Sequence, residues 1–171
     1  MNKKILIPFL LAGCLFSLTG CGKDQSLETY KENMTVFCDN IIAQNEVINS
    51  IDPASETATE DLLNSLDMIE AEFTTLADME VPEQFSAIES LADEAGAYMT
   101  EAVSLYHEAF GAEVYDDIKA QLAAQSYQRA IKRVQYIGDI MMGQLPDDEN
   151  VEITYEDSTS DDTSDDTQAA E

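Results

Sequence analysis

The sequence predicts an all-α protein, an antiparallel up-down four-helix bundle followed by a disordered acidic C-terminal tail. Three observations predict it. Apolar residues recur at alternating spacings of three and four through four successive segments, which gathers them on one face of a helix each time. Proline or glycine closes every one of these segments. Before the tail, no stretch alternates with period two over a useful length.

The first segment carries Leu27, Tyr30, Met34, Phe37, Ile41, Ile48 and Ile51, with Gln44 at the one polar position of the series. Ser26 is its expected N-cap, and Asp52-Pro53 its stop, because the residue before proline avoids the α region. The second opens on Thr57-x-x-Glu60, a capping box whose side chains would satisfy unpaired backbone donors, and continues with Leu62, Leu66, Ile69, Phe73 and Leu76. Val81-Pro82 interrupts the pattern and sets Pro82 at a first helical position. The third segment then carries Phe85, Ile88, Leu91, Ala95, Met99, Ala102, Leu105 and Ala109, with Gly111 expected as a left-handed cap. The fourth carries Ile118, Leu122, Ile131, Val134, Ile137 and Met141, and Gly143 followed by Pro146 ends it.

Connections of a few residues favour antiparallel neighbours, and residues 26–144 form the expected bundle domain. A single long last helix running through Gly111 would give a three-helix variant. Glycine inside a helix costs about 1 kcal/mol relative to alanine, which favours the turn. From residue 145 to 171 Asp, Glu, Ser and Thr dominate, and Ser160-Asp161-Asp162-Thr163 repeats at once as Ser164-Asp165-Asp166-Thr167. That is the composition of a solvated, disordered tail. Within it Val151, Ile153 and Tyr155 alternate with Glu152 and Thr154, a pattern suited to a short strand that forms on binding.

The first 20 residues read as a processing signal. Lys3 and Lys4 precede an apolar run over residues 5–18, shorter than the roughly 20 residues a membrane span requires. The run closes on Leu18-Thr19-Gly20-Cys21, which resembles the lipobox of bacterial lipoproteins. The mature part in turn resembles small helical-bundle lipoproteins. The resemblance implies that Leu18, Thr19 and Gly20 are the recognition positions before the cut. It further implies that Cys21 becomes the first mature residue and carries a covalent diacylglycerol and acyl lipid. Residues 21–25 would then be a short anchor linker, with the chain held on the extracytoplasmic face of a cell membrane. A second such motif, Leu11-Ala12-Gly13-Cys14, is disfavoured: it shortens the apolar run and leaves Leu15, Phe16 and Leu18 on the mature chain.

Eight Lys and Arg stand against 35 Asp and Glu, a net charge of −27; removal of residues 1–20 takes Lys3 and Lys4 and no acid, giving −29. Between Lys31 and Lys119 there is neither Lys nor Arg, so nucleic acid is an unsuitable partner and anionic lipid an unsuitable electrostatic one. The expected partners are the membrane, through the lipid, and an envelope protein. Of three cysteines, Cys14 leaves with the signal and Cys21 is lipidated, so Cys38 remains and reads as a small buried hydrophobe.

Candidate chemistry is sparse. A di-metal bundle site uses Glu-x-x-His pairs, but the one histidine, His107, has Ser104 three residues before it. Haem ligation by His107 with Met99 or Met141 is set against the place of those methionines on apolar stripes. No nucleophile signature accompanies His107 or Cys38, and Asp161, Asp162, Asp165 and Asp166 lack the glycine-bearing loop of a specific calcium site. The expectation is no catalytic residue, no metal and no cofactor beyond the covalent lipid. The basic residues Lys119, Arg129, Lys132 and Arg133 concentrate in the fourth segment. Arg129, Lys132, Arg133 and Tyr136 lie at helical neighbour spacing, a stripe that either offsets acidic neighbours or forms a partner surface with Tyr98, Tyr106 and Tyr127. The functional expectation is therefore a non-enzymatic helical interaction module at the cell surface. Alternatives are a small-ligand domain with an interhelical pocket and, further off, an enzyme centred on His107.

Overall fold

Each of the four amphipathic segments folds as a helix. The computed structural model describes residues 25–144. Its elements are α1 (Gln25–Ser50), α2 (Ala58–Ala77), α3 (Ala87–Gly111) and α4 (Asp117–Met141), with a 3-10 turn at Glu83–Phe85 before α3. Consecutive helices pack as an up-down bundle: α3 contacts both α2 and α4, and α1 lies against α2. Residues 1–24, including Leu18, Thr19, Gly20 and Cys21, and the acidic segment 145–171 lie outside the described residues. No helix among the described residues is long and apolar enough to cross a membrane.

One core runs the length of the bundle. Tyr30, Met34, Phe37, Cys38 and Ile41 of α1 meet Leu66, Ile69, Phe73 and Leu76 of α2, with Phe37 and Phe73 edge to face at 5.2 Å between ring centroids. Ile88, Leu91, Ala95, Met99 and Ala102 extend it through α3. Removing a Leu, Ile, Phe or Met side chain from water contributes about 1.5–3 kcal/mol. At Gly96 α3 faces α2 at ordinary van der Waals separation: a Cβ there would lie 3.4 Å from that of Ala77 and 3.5 Å from the Phe73 carbonyl.

Several local expectations need correction. Ser26 lies inside α1, which already includes Gln25, and so does not cap it. The buried polar residue of α1 is Asn45 and not Gln44. Thr57 precedes α2 without capping it: its backbone is already helical, at φ −95° and ψ −1°, and its hydroxyl accepts from no backbone N–H but donates to Asp61 at 2.8 Å. Pro82 opens the 3-10 turn, accepting from Phe85 N–H at 2.8 Å, and α3 starts only at Ala87. Gly111 ends α3 without a positive φ; the chain turns at extended Ala112 and is tied by Asp116 N–H to Ala109 O at 3.2 Å.

The ends of α4 are well capped. Asp116 accepts from Ile118 N–H at 3.0 Å and Lys119 N–H at 3.1 Å, two of the donors a helix start leaves unpaired. Asp116→Ala is expected to lower stability by about 1 kcal/mol in urea unfolding, as loss of a capping side chain does. At the far end Gly143 adopts φ +73°, and Gly143 and Gln144 donate to Ile140 O and Asp139 O at 2.9 and 2.8 Å. This is a Schellman cap, and it folds the departing chain back over the last turn.

Three tyrosines carry phenols into the core. Burial pushes Tyr106 up to about 12, with the nearby Tyr115 adding to it. Burial also pushes Tyr127 up to about 12; Asn45 beside it offsets part of that push and Tyr106 adds to it. The Asn45 amide nitrogen donates to Ile41 O at 2.7 Å, and its approach to the Tyr127 hydroxyl falls short of hydrogen-bond geometry, which leaves that hydroxyl unpaired. The Tyr30 hydroxyl is buried and unpaired as well, and burial raises its pKa further still. An unpaired buried hydroxyl carries its desolvation cost without return. Tyr30→Phe is therefore expected to raise stability by about 1 kcal/mol, seen as a higher denaturant midpoint at unchanged slope.

Candidate functional site

The basic stripe forms on the α3–α4 side of the bundle. A helix brings residues three and four apart onto one face, so Arg129, Lys132, Arg133 and Tyr136 stack along α4. Glu94, Tyr98 and Glu101 face them from α3. Arg133 donates through Nε to Glu94 Oε2, and its guanidinium lies 5.6 Å from the Tyr98 ring centre and 5.8 Å from that of Tyr136. Arg129 lies 5.7 Å from the Tyr98 ring, and Lys132 Nζ lies 5.3 Å from Tyr136. Cation-ring contacts at such distances contribute about 0.5–1 kcal/mol each at exposed sites. Burial works to lower the Arg133 pKa, but the hydrogen bond and charge of Glu94 outweigh it and the net shift is upward.

The four predicted residues thus come together but not as equals. Arg133 is committed to Glu94 and Tyr136 is buried beneath the cations, while Arg129 and Lys132 are exposed. Tyr98 joins them half-buried; Tyr106 and Tyr127 do not, being core residues. One turn further along α4, Ser126 donates to Glu101 at 2.8 Å. Lys119 pairs with Glu108 at 2.6 Å, and that hydrogen bond raises its pKa.

Above the stripe the fourth helix departs from expectation. Ile118 and Leu122 do not enter the core: they are 72% and 46% exposed, next to Val114 at 82%. The buried face of α4 is instead Ala123, Tyr127, Ala130, Val134, Ile137 and Met141. That series has the three-four spacing, and its small members Ala123 and Ala130 allow close packing on α3. Ile118, Leu122, Arg129 and Lys132 therefore share one outward face, apolar toward the start of α4 and cationic toward its end.

His107 lies elsewhere. Its Nε2 meets Asp67 Oδ1 at 2.6 Å on the exposed surface between α2 and α3, whereas Cys38 is buried in the core. Among the described residues no group of three or more His, Cys, Asp and Glu is placed to hold a metal ion. Met99 and Met141 are buried in the core cluster.

The chain matches no family model, no curated protein and no solved structure.

Proposed function

We propose that this protein is a bacterial lipoprotein, anchored through Cys21 to the extracytoplasmic face of a cell membrane, whose bundle presents the outer face of α4 to another envelope protein. The anchor rests on Leu18-Thr19-Gly20-Cys21 behind a short apolar run led by two lysines. With a mature charge of −29, attraction to anionic lipid is unfavourable, and two acyl chains supply stable membrane attachment without it. The observation that carries the interaction reading is the α4 face. Val114, Ile118 and Leu122 are large and exposed beside Arg129 and Lys132 in an otherwise acidic chain. Apolar residues next to arginine and tyrosine are the composition of a protein interface centre.

A photo-reactive amino acid at position 118, in intact cells, tests this. It is expected to yield a reproducible adduct with one envelope protein, and the same probe at Glu46, exposed on α1, is expected not to. Identical adduct patterns from both positions, or none from position 118 across growth conditions, would contradict the reading.

A further inference from the structure

We infer that the chain's own acidic tail docks along the outer face of α4, with residues 147–149 on the cationic stripe and Ile153 and Tyr155 on Leu122 and Ile118. The starting point of the tail is fixed by the end of α4. The Schellman cap turns the chain back at Gly143, and Gln144 N–H is held on Asp139 O. Asp139, Lys132, Gln125 and Ile118 recur every seven residues, two helical turns, so Gln144, the last described residue, is held on the line that the exposed face occupies. Pro146 prevents a return to helix and biases Leu145 toward extended backbone.

Length then sets the register. An extended chain advances about 3.3 Å per residue and a helix about 1.5 Å. Running back along α4 from Gln144, residues 147–149 draw level with the turns that carry Arg133, Lys132 and Arg129. Residue 153 reaches the level of Leu122, and residue 155 that of Ile118. The chemistry matches at both levels. Asp147, Asp148 and Glu149 arrive where the basic residues of the folded part are densest. Val151, Ile153 and Tyr155, which share one side of an extended chain, arrive at the exposed apolar residues. Glu152 and Thr154 fall on the opposite, solvent side. The tail is tethered, so its effective concentration at this face far exceeds that of any free acidic peptide.

The inference goes beyond the proposed function, because it requires only this chain; a protein partner seated on the same face would have to displace the tail. The sequence has no tryptophan, so Tyr155→Trp places a single reporter in the full chain, purified in detergent. Its emission is expected to be blue-shifted and protected from a soluble quencher. Both properties are expected to be lost on adding Ile118→Asp, and quenching to rise several-fold with Arg129→Glu. Both substituted positions are exposed, and helical circular dichroism confirms that the bundle persists. Emission unchanged by both substitutions would overturn the inference. Protection that grows with protein concentration would overturn it too, by assigning the docked segment to a second copy. Because no partner is present in this experiment, its failure leaves the cross-linking result untouched.

Discussion

As pH rises from 10 to beyond 12 the bundle is expected to lose about 5 kcal/mol of stability and to unfold, through its buried phenols. Tyr106 and Tyr127 are each pushed up to about 12 by burial, from an ordinary value of about 10. In the unfolded chain they ionise near pH 10 while in the bundle they hold their protons. The folded state then binds more protons than the unfolded one, so stability is fully present below pH 10 and falls as pH rises toward the folded values. Each two-unit displacement corresponds to about 3 kcal/mol, and Tyr30, also raised by burial, adds to the loss. Domains of this size are stable by only about 5–15 kcal/mol. Phenolate absorbance and helical circular dichroism are expected to change together in one steep transition above pH 10. Phenols that all titrate near pH 10 with the helices intact would contradict the burial of these rings. Replacing Tyr106 and Tyr127 together with phenylalanine is expected to move the transition to higher pH.

Phe73→Ala is expected to destabilise the protein by about 3–5 kcal/mol, more than any other single substitution considered. Phe73 is fully buried, meets Phe37 edge to face at 5.2 Å, and its carbonyl faces Gly96 of α3. Helix backbones on both sides restrict collapse into the vacated space, so the cavity term adds to the lost burial. The denaturant midpoint should fall at nearly constant slope. Met68→Ala, on the same helix but exposed, should change stability by no more than about 0.5 kcal/mol. Equal losses at both positions would mean that the apolar face of α2 has been assigned wrongly.

Much of the bundle is legible because large apolar residues mark its first two helices. Tyr30, Met34, Phe37 and Ile41 of α1, and Leu66, Ile69, Phe73 and Leu76 of α2, are both the conspicuous residues and the buried ones. In α4 size misleads. Ile118 and Leu122 attract attention but are exposed, and Ile131 packs only at the edge of the core, whereas the seam passes through Ala123, Tyr127 and Ala130, of which the two alanines suit a close helix contact. The three-four spacing of that seam was in the sequence, but alanine carries too weak a hydrophobic signal to set the phase. Helix ends were less legible still. Thr57 and Glu60 have the capping-box spacing, yet Thr57 takes helical backbone angles in place of the extended ones a cap requires. The positive φ falls on Gly143 and not Gly111, because the turn after α3 continues through extended Ala112.

The same division holds at the site. The α4 members Arg129, Lys132, Arg133 and Tyr136 follow from helical spacing alone. Glu94 and Tyr98 sit more than 30 positions earlier in the chain and reach them only through the pairing of α3 with α4. The proposed lipid-anchor motif, Leu18-Thr19-Gly20-Cys21, is of another kind: a pattern of consecutive residues that lies outside the described residues.

Labelling with a clickable fatty acid, applied to the full-length chain produced in a bacterium, tests the central claim most directly. The unaltered chain and Cys14→Ser are expected to take up label and to sediment with membranes. Cys21→Ala is expected to take up none. Label retained by Cys21→Ala, or lost in Cys14→Ser, would contradict an anchor at Cys21.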